Sequence, residues 1–331
     1  TARSATSEAF MTMPTRQGKP KQTSPKAGAS KTKTSTRRNT SVRKKKDPGR
    51  FATELVGRAG ELKLNYSKLD YRTVISHSYF TTPWKLLPPI YLDDTGSAYT
   101  LLVNPSGGLV GGDQLSIDMT VEPGAHVLIS APSANRVYQT EGPVSEQHVS
   151  IAVEPGAILE WFPEHTIPFA GSRFRQSLRA TVAPGATLFL WDALASGRIA
   201  RGERWAFTDL ENEILITTAS GSSLLERYVL NPSTDLGAVG LAEEWDYVAS
   251  FYIVNDAMPP EVWTGLESNI AAILDTKPGA VLGGVSTAPV PGLAVKLVAR
   301  TAPDLLAMMD ALWAAAREAV LKLPPVSLRK Y

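Results

Sequence analysis

From residue 60 onward, apolar and polar residues alternate in short runs. Glu61-Leu62-Lys63-Leu64-Asn65-Tyr66 puts an apolar side chain at every second position, the period of a half-buried strand. Leu115, Ile117, Met119 and Val121 repeat the pattern, as do Ile151 with Val153 and Ile214 with Ile216. Helical spacing arrives only late. Met258-Pro-Pro-Glu261 opens a segment with Val262, Leu266, Ile270, Ile273 and Leu274 on one face, closed by Pro278-Gly279. Thr301-Ala-Pro-Asp304 reads as a cap ahead of Leu305, Met309, Leu312, Trp313, Ala316 and Val320. Between these helices, residues 280–287 and 293–300 predict a hairpin around Pro289-Val-Pro-Gly292.

One phrase recurs within the strand-rich part. Val121-Glu-Pro-Gly-Ala125, Val153-Glu-Pro-Gly-Ala157 and Val182-Ala-Pro-Gly-Ala186 carry prolines at 123, 155 and 184, spaced by 32 and 29 residues. Each reads strand, turn, strand: Pro sets φ at the first central turn position and Gly supplies the positive φ of the second. A turn recurring at this interval predicts stacked layers of short strands, a solenoid or a multilayer sandwich. The expected organisation is a basic extension over 1–50, a β-rich body over 51–255, and a two-helix, two-strand lobe over 256–331.

Charge separates the extension from the rest. Residues 1–50 carry 14 Lys/Arg against Glu8 and Asp47, whereas the remaining 281 residues carry 20 basic groups against 30 acidic ones. The extension is rich in Thr, Ser, Lys and Arg and poor in apolar residues, a composition that favours disorder. An anion tether centred on Arg43-Lys44-Lys45-Lys46 and a solvated extension or a start at Met11 or Met13 fit it. A transit peptide shares the basic, Ser-rich, acid-poor composition, but no window repeats apolar residues at helical spacing. No function is assigned to it. The chain has no cysteine and only His77, His126, His148 and His165, which excludes disulfides, thiolate metal sites and a Cys nucleophile. No apolar run reaches the ~20 residues of a membrane span.

The Gly-rich segment Asn104-Pro-Ser-Gly107-Gly108-Leu-Val-Gly111-Gly112-Asp113 follows a strand, but no Lys-Ser/Thr follows and the next element alternates as another strand. That context speaks against a phosphate cradle and for close backbone packing, with Asp113 able to cap the loop. No Gly-x-Ser-x-Gly elbow is present. Three readings of the acids remain. Glu160 and Asp192 could serve as a carboxylate pair for glycoside cleavage. Asp113, His126, Glu160, Asp192 and Glu226 could line a channel that holds a divalent ion weakly, as transfer requires. Each could instead be a structural acid paired with Arg. Glu164 and His165 are adjacent and, in a strand, would point to opposite faces.

The blocks Asn104–Asp113, Pro123-Gly-Ala125, Ala134-Asn-Arg136-Val-Tyr138, Leu159-Glu-Trp161-Phe-Pro163, Trp191-Asp192, Gly197-Arg198 with Arg201-Gly-Glu203, and Leu225-Glu226-Arg227 occur in sequence. In that order they resemble the urease accessory protein UreD family, also called UreH. The resemblance implies a right-handed β-helical fold with two helices and a non-enzymatic role in the cytoplasm. It further implies a scaffold in a multimeric complex with apo-urease, UreF and, through UreF, the GTPase UreG. The implied cargo is Ni²⁺, bound transiently with no tightly held cofactor, and neither membrane nor nucleic acid is an expected partner. Asp192 and Glu226 match acids implicated in an internal metal passage; Asp113 and His126 fall on family blocks as further lining candidates. Gly107, Gly108, Gly111, Gly112, Arg136, Tyr138, Trp161, Arg198 and Glu203 are the matching structural or partner-facing positions.

Overall fold

The structure is a computed structural model that describes residues 59–232, 236–238 and 242–328. The basic extension over 1–50 and the readings attached to it lie outside the described residues. The fold begins with the hairpin β1 (Ala59–Leu69) and β2 (Arg72–Phe80), then β3 (Ala98–Leu101). Next come β4 (Gln114–Val121), β5 (His126–Ser130), the short β6 (Asn135–Val137), β7 (Ser145–Val153), β8 (Ile158–Phe162) and the short β9 (Thr166–Pro168). After them run β10 (Arg173–Val182), β11 (Thr187–Ala195), β12 (Asp209–Thr218), β13 (Ser223–Leu230) and β14 (Tyr247–Asn255). Helix α1 (Pro260–Leu274), the hairpin β15 (Val281–Thr287) and β16 (Gly292–Ala299), and helix α2 (Ala302–Ala316) complete it.

Two sheets result. The first has the order β13-β12-β10-β7-β4-β1-β2; the second runs β15-β16-β14-β11-β8-β5-β3, with β6 and β9 attached beside it. Strands β1, β4, β7, β10 and β12 pair in parallel, and so do β3, β5, β8 and β11. The chain thus passes from the first sheet to the second and back in each of about four turns. The fold is mainly β and solenoid-like, as the repeat predicts.

The repeated Pro-Gly phrases are the corners of this stack. They join β4 to β5, β7 to β8 and β10 to β11, strands of different sheets rather than hairpin partners. Gly124, Gly156 and Gly185 take φ of 72°, 67° and 69°. In each corner the alanine N–H donates to the carbonyl three residues earlier: Ala125 to Glu122 at 3.0 Å, Ala157 to Glu154 at 2.9 Å and Ala186 to Ala183 at 3.1 Å. Identical corners keep successive turns in register, so that His126, Ile158 and Thr187 stand side by side.

Burial explains the two kinds of strand sequence. The first sheet has one face in solvent, hence the strict alternation of β4 and β12. The second is covered on both faces through its centre, where β5 and β11 read as nearly continuous apolar runs. Between the sheets pack Leu64, Ile117, Ile151, Leu178, Leu190 and Ile216. On the far side of the second sheet, Phe162, Phe189 and Phe251 meet Leu266 and Ile270 of α1 and Leu312 and Trp313 of α2. The late hairpin extends the second sheet through β14 rather than forming a separate one. Thr301 caps α2, its Oγ1 accepting from the Asp304 N–H at 3.2 Å.

A buried carboxylate fastens α2 to the stack. Glu160 on β8 is fully buried, accepts from Trp313 Nε1 at 2.5 Å and lies 2.6 Å from His126 Nε2. The buried guanidinium of Arg317, in the π turn that follows α2, contacts the same carboxylate. Removing one partner of such a pair leaves an uncompensated charge. Arg317→Met is expected to cost about 3–5 kcal/mol in urea unfolding. Arg317→Met with Glu160→Gln should recover part of that loss.

Candidate functional site

One register position breaks the apolar phase of strand after strand in the first sheet. The inward face of β10 reads Phe174, Gln176, Leu178, Ala180, and that of β12 reads Leu210, Asn212, Ile214, Ile216. Gln176 stands opposite both Gln147 of β7 and Asn212, and Asn212 stands opposite Tyr228 of β13. The parallel stack therefore aligns Gln147, Gln176, Asn212 and Tyr228 in one row. The second sheet answers with its own row: Asp192 of β11 is opposite Ser250 of β14, which is opposite Lys296 of β16.

Hydrogen bonds join the rows across the interior. Gln176 Nε2 donates to Asp192 Oδ1 at 2.9 Å and to Asn212 Oδ1 at 3.1 Å. Asn212 Nδ2 donates to Asp192 Oδ2 at 2.8 Å and to Tyr228 Oη at 3.0 Å. Both carboxylate oxygens are thereby engaged, as a buried acid demands. Further along, Glu226 of β13 accepts from Ser250 Oγ at 3.3 Å and from Tyr252 Oη. Lys296 contacts Glu226 and donates to Ser250 Oγ at 2.9 Å and Tyr252 Oη at 2.7 Å.

At its other end the layer opens into a cavity of about 870 Å³, counting its mouth. The glycine loop and Arg136 form one wall; Trp161, Gln147, Gln176 and Asp192 lie within it. A smaller void, about 200 Å³ with its open side counted, continues from Gln176 and Asp192 to Asn212 and Tyr228. A line of oxygen and amide groups thus leads from the glycine loop to the uncovered inner face of β16.

Burial tunes the charges along this line. It raises the Asp192 carboxyl above its usual range, opposed by the hydrogen bonds from Gln176 and Asn212 and by the charge of Lys296. Burial, and then the Asp192 charge, pushes Glu226 up to about 7. Lys296 is pulled down to about 8 by burial, against the attraction of Asp192. Direct contact between Glu226 and Lys296 favours the charged form of each.

The residues singled out from sequence separate into groups. Asp192 and Glu226 belong to this one layer, within reach of each other's charge. His126 and Glu160 do not: they point from the opposite face of the second sheet into the α2 contact described above. That placement also parts Glu160 from Asp192 and leaves the glycosidase pairing without a shared cleft. Asp113 caps its own loop, accepting from the Val110 N–H at 3.0 Å. Gly107 and Gly112 stand in the same loop, where a side chain on Gly108 would come within 2.4 Å of the Arg136 carbonyl and one on Gly111 within 2.0 Å of Thr140 Oγ1. Tyr138 closes on that loop, its Oη 3.4 Å from the Gly107 carbonyl.

Arg198 donates to Glu203 at 2.7 Å and lies over the Phe169 ring at 4.1 Å, while Glu203 accepts from the Ala170 N–H at 3.1 Å. These contacts secure the segment after β9. Glu164 and His165 precede β9 in a loop rather than lying in a strand, so they do not diverge: His165 Nδ1 is 3.5 Å from the Glu164 carboxylate. Sequence reasoning missed Gln147, Gln176, Asn212, Tyr228, Ser250, Tyr252 and Lys296. The signal available was a polar residue interrupting the inward phase of β7, β10, β12, β14 and β16. No group of three or more His, Cys, Asp or Glu side chains fit to hold a metal ion occurs among the described residues.

The sequence pattern of the UreD urease accessory proteins matches residues 58–330. The chain belongs to the UreD family. Curated relatives named urease accessory protein UreD include one from Arthrobacter sp. (strain FB24), 30% identical over 82% of this chain and 94% of its own length. Another, from Herpetosiphon aurantiacus, is 30% identical over 84% of this chain and 98% of its own length. The relative from Delftia acidovorans is 43% identical, but the match spans only 41% of this chain and 45% of that protein. Similarly, the match to the Picosynechococcus relative spans about half of that protein. No helix among the described residues is long and apolar enough to cross a membrane.

The raised Glu226 gives this UreD family member a testable pH signature. A carboxyl held above its usual value of 4.5 favours the fold at low pH, and that contribution is lost as pH rises through about 7. Unfolding midpoints measured from pH 4 to 8 should fall across this window. Glu226→Gln should flatten the fall, by at most about 3 kcal/mol.

Proposed function

We propose that this protein is a non-catalytic scaffold of urease maturation, working in the cytoplasm. It docks apo-urease and the accessory partners UreF and, through UreF, UreG, and conducts Ni²⁺ along its interior polar layer. Family membership supports the urease role. The observation that carries the passage is the hydrogen-bonded line from the cavity through Gln176, Asp192 and Asn212, with Glu226 at its far end.

The chemistry suits a cargo rather than a resident ion. Amide, hydroxyl and carboxylate oxygens can replace part of a cation's hydration shell, one or two at a time. Such hard donors hold a borderline ion such as Ni²⁺ more weakly than clustered imidazole or thiolate would. Asp192 supplies negative charge where the two cavities meet, and its amide neighbours can turn their carbonyl oxygens toward a passing ion. The corners and the Glu160 tie keep the rows aligned while that exchange occurs.

Asp192→Arg places a bulky cation where the two cavities meet. It should lower the nickel content and activity of co-expressed urease by at least about tenfold, a loss of roughly 1.4 kcal/mol or more in effective delivery. Pull-down of urease and UreF by the variant should remain at the level of the unaltered chain. Full nickel loading with Asp192→Arg would refute the passage.

A further inference from the structure

The far end of the polar layer is held by a lysine to which the passage alone assigns no part. The first sheet ends at β13, whereas the second continues through β14, β16 and β15. The inner face of β16 is therefore uncovered, and the Lys296 side chain is 51% exposed although its ammonium reaches inward. There its three N–H groups meet three acceptors: Ser250 Oγ at 2.9 Å, Tyr252 Oη at 2.7 Å and the Glu226 carboxylate. Tyr252 Oη in turn donates to Glu226, so acceptor and counter-charge are organised around one cationic group.

We propose that the Lys296 ammonium is a displaceable counter-cation that occupies the end of the passage at rest and gives way to a divalent cation. This rests on the passage reading and adds how the passage is closed and what it admits. When ionised, Asp192 and Glu226 bring two negative charges to the layer, and Lys296 brings one positive charge. A divalent ion in its place balances both carboxylates, whereas Na⁺ or K⁺ would only repeat the charge the lysine already supplies. The acceptors around the ammonium are all oxygens, and oxygens are equally ligands for a hard or borderline cation. Because the stem of Lys296 lies at the uncovered edge, the ammonium can swing into water by a side-chain rotation without disturbing β16. The lysine thus excludes monovalent ions and holds Glu226 in a defined position until a cation of higher charge arrives.

Ni²⁺ titration of the full chain, followed by calorimetry, tests this. Lys296→Met removes the competing charge and should tighten Ni²⁺ binding by about tenfold or more. The gain should vanish in Lys296→Met with Glu226→Gln, and Lys296→Arg, which keeps the charge, should show no gain. Lys296→Gln serves as the neutral variant should the methionine substitution fail to fold, as judged by circular dichroism. Unchanged Ni²⁺ affinity in a folded neutral variant would overturn the proposal, as would a gain in Lys296→Arg equal to that in Lys296→Met. The passage itself is read separately: if Asp192→Arg leaves urease loading intact while the Glu226-dependent gain persists, the passage falls and the counter-cation site stands.

Discussion

A polar group held between two sheets must find a partner or cost several kcal/mol, and the interior of this protein is arranged around that constraint. Asp192 is the critical case. Its carboxylate is inside the sandwich, and its two oxygens are met by the amides of Gln176 and Asn212, carried by adjacent turns of the opposite sheet. Neither amide has another reason to interrupt an apolar face. Each is in turn satisfied by the next group along, down to Tyr228. The layer is therefore a set of mutually dependent residues, and the shape of the stack is what brings them into line.

That alignment follows from the corners. Parallel strands in register place equivalent positions of successive turns beside one another, so a single polar position per turn becomes a continuous row. Gln147, Gln176 and Asn212 are far apart in the chain and adjacent in the sheet. A second constraint keeps the row from shearing: the helical layer is tied to the stack through the buried Glu160, Trp313 and Arg317 group. The two buried acids are in this way sorted to the two faces of one sheet. Glu160 is locked on one side, and Asp192 faces the cavities on the other.

Much of this was legible in the sequence, and for identifiable reasons. The Val-x-Pro-Gly-Ala phrases announced the layered stack because the turn chemistry is local. The two helices and the late hairpin were legible from periodicity and punctuation alone. Asp192 and Glu226 were two among five scattered candidates, and only family resemblance set them apart, since spacing along the chain says nothing about which strands lie side by side. The same blindness grouped His126 and Glu160 with them, although alternation within β5 and β8 sends those side chains to the other face. Lys296 was invisible because a lysine in a strand ordinarily marks a solvent-facing position, and here the inner face itself is uncovered where the first sheet ends.

Family membership ties the chain to urease maturation, and the proposed passage gives its interior polar layer a cation to conduct. The direct measurement is crystallographic: anomalous scattering at the nickel edge from crystals of the complex with apo-urease, exposed to Ni²⁺. The account predicts anomalous density inside the sandwich, within ~2.0–2.6 Å of the Asp192 and Glu226 carboxylates, the range of metal–oxygen bonds. Density confined to surface histidines such as His77 and His148, with the interior layer empty at saturating Ni²⁺, would contradict it.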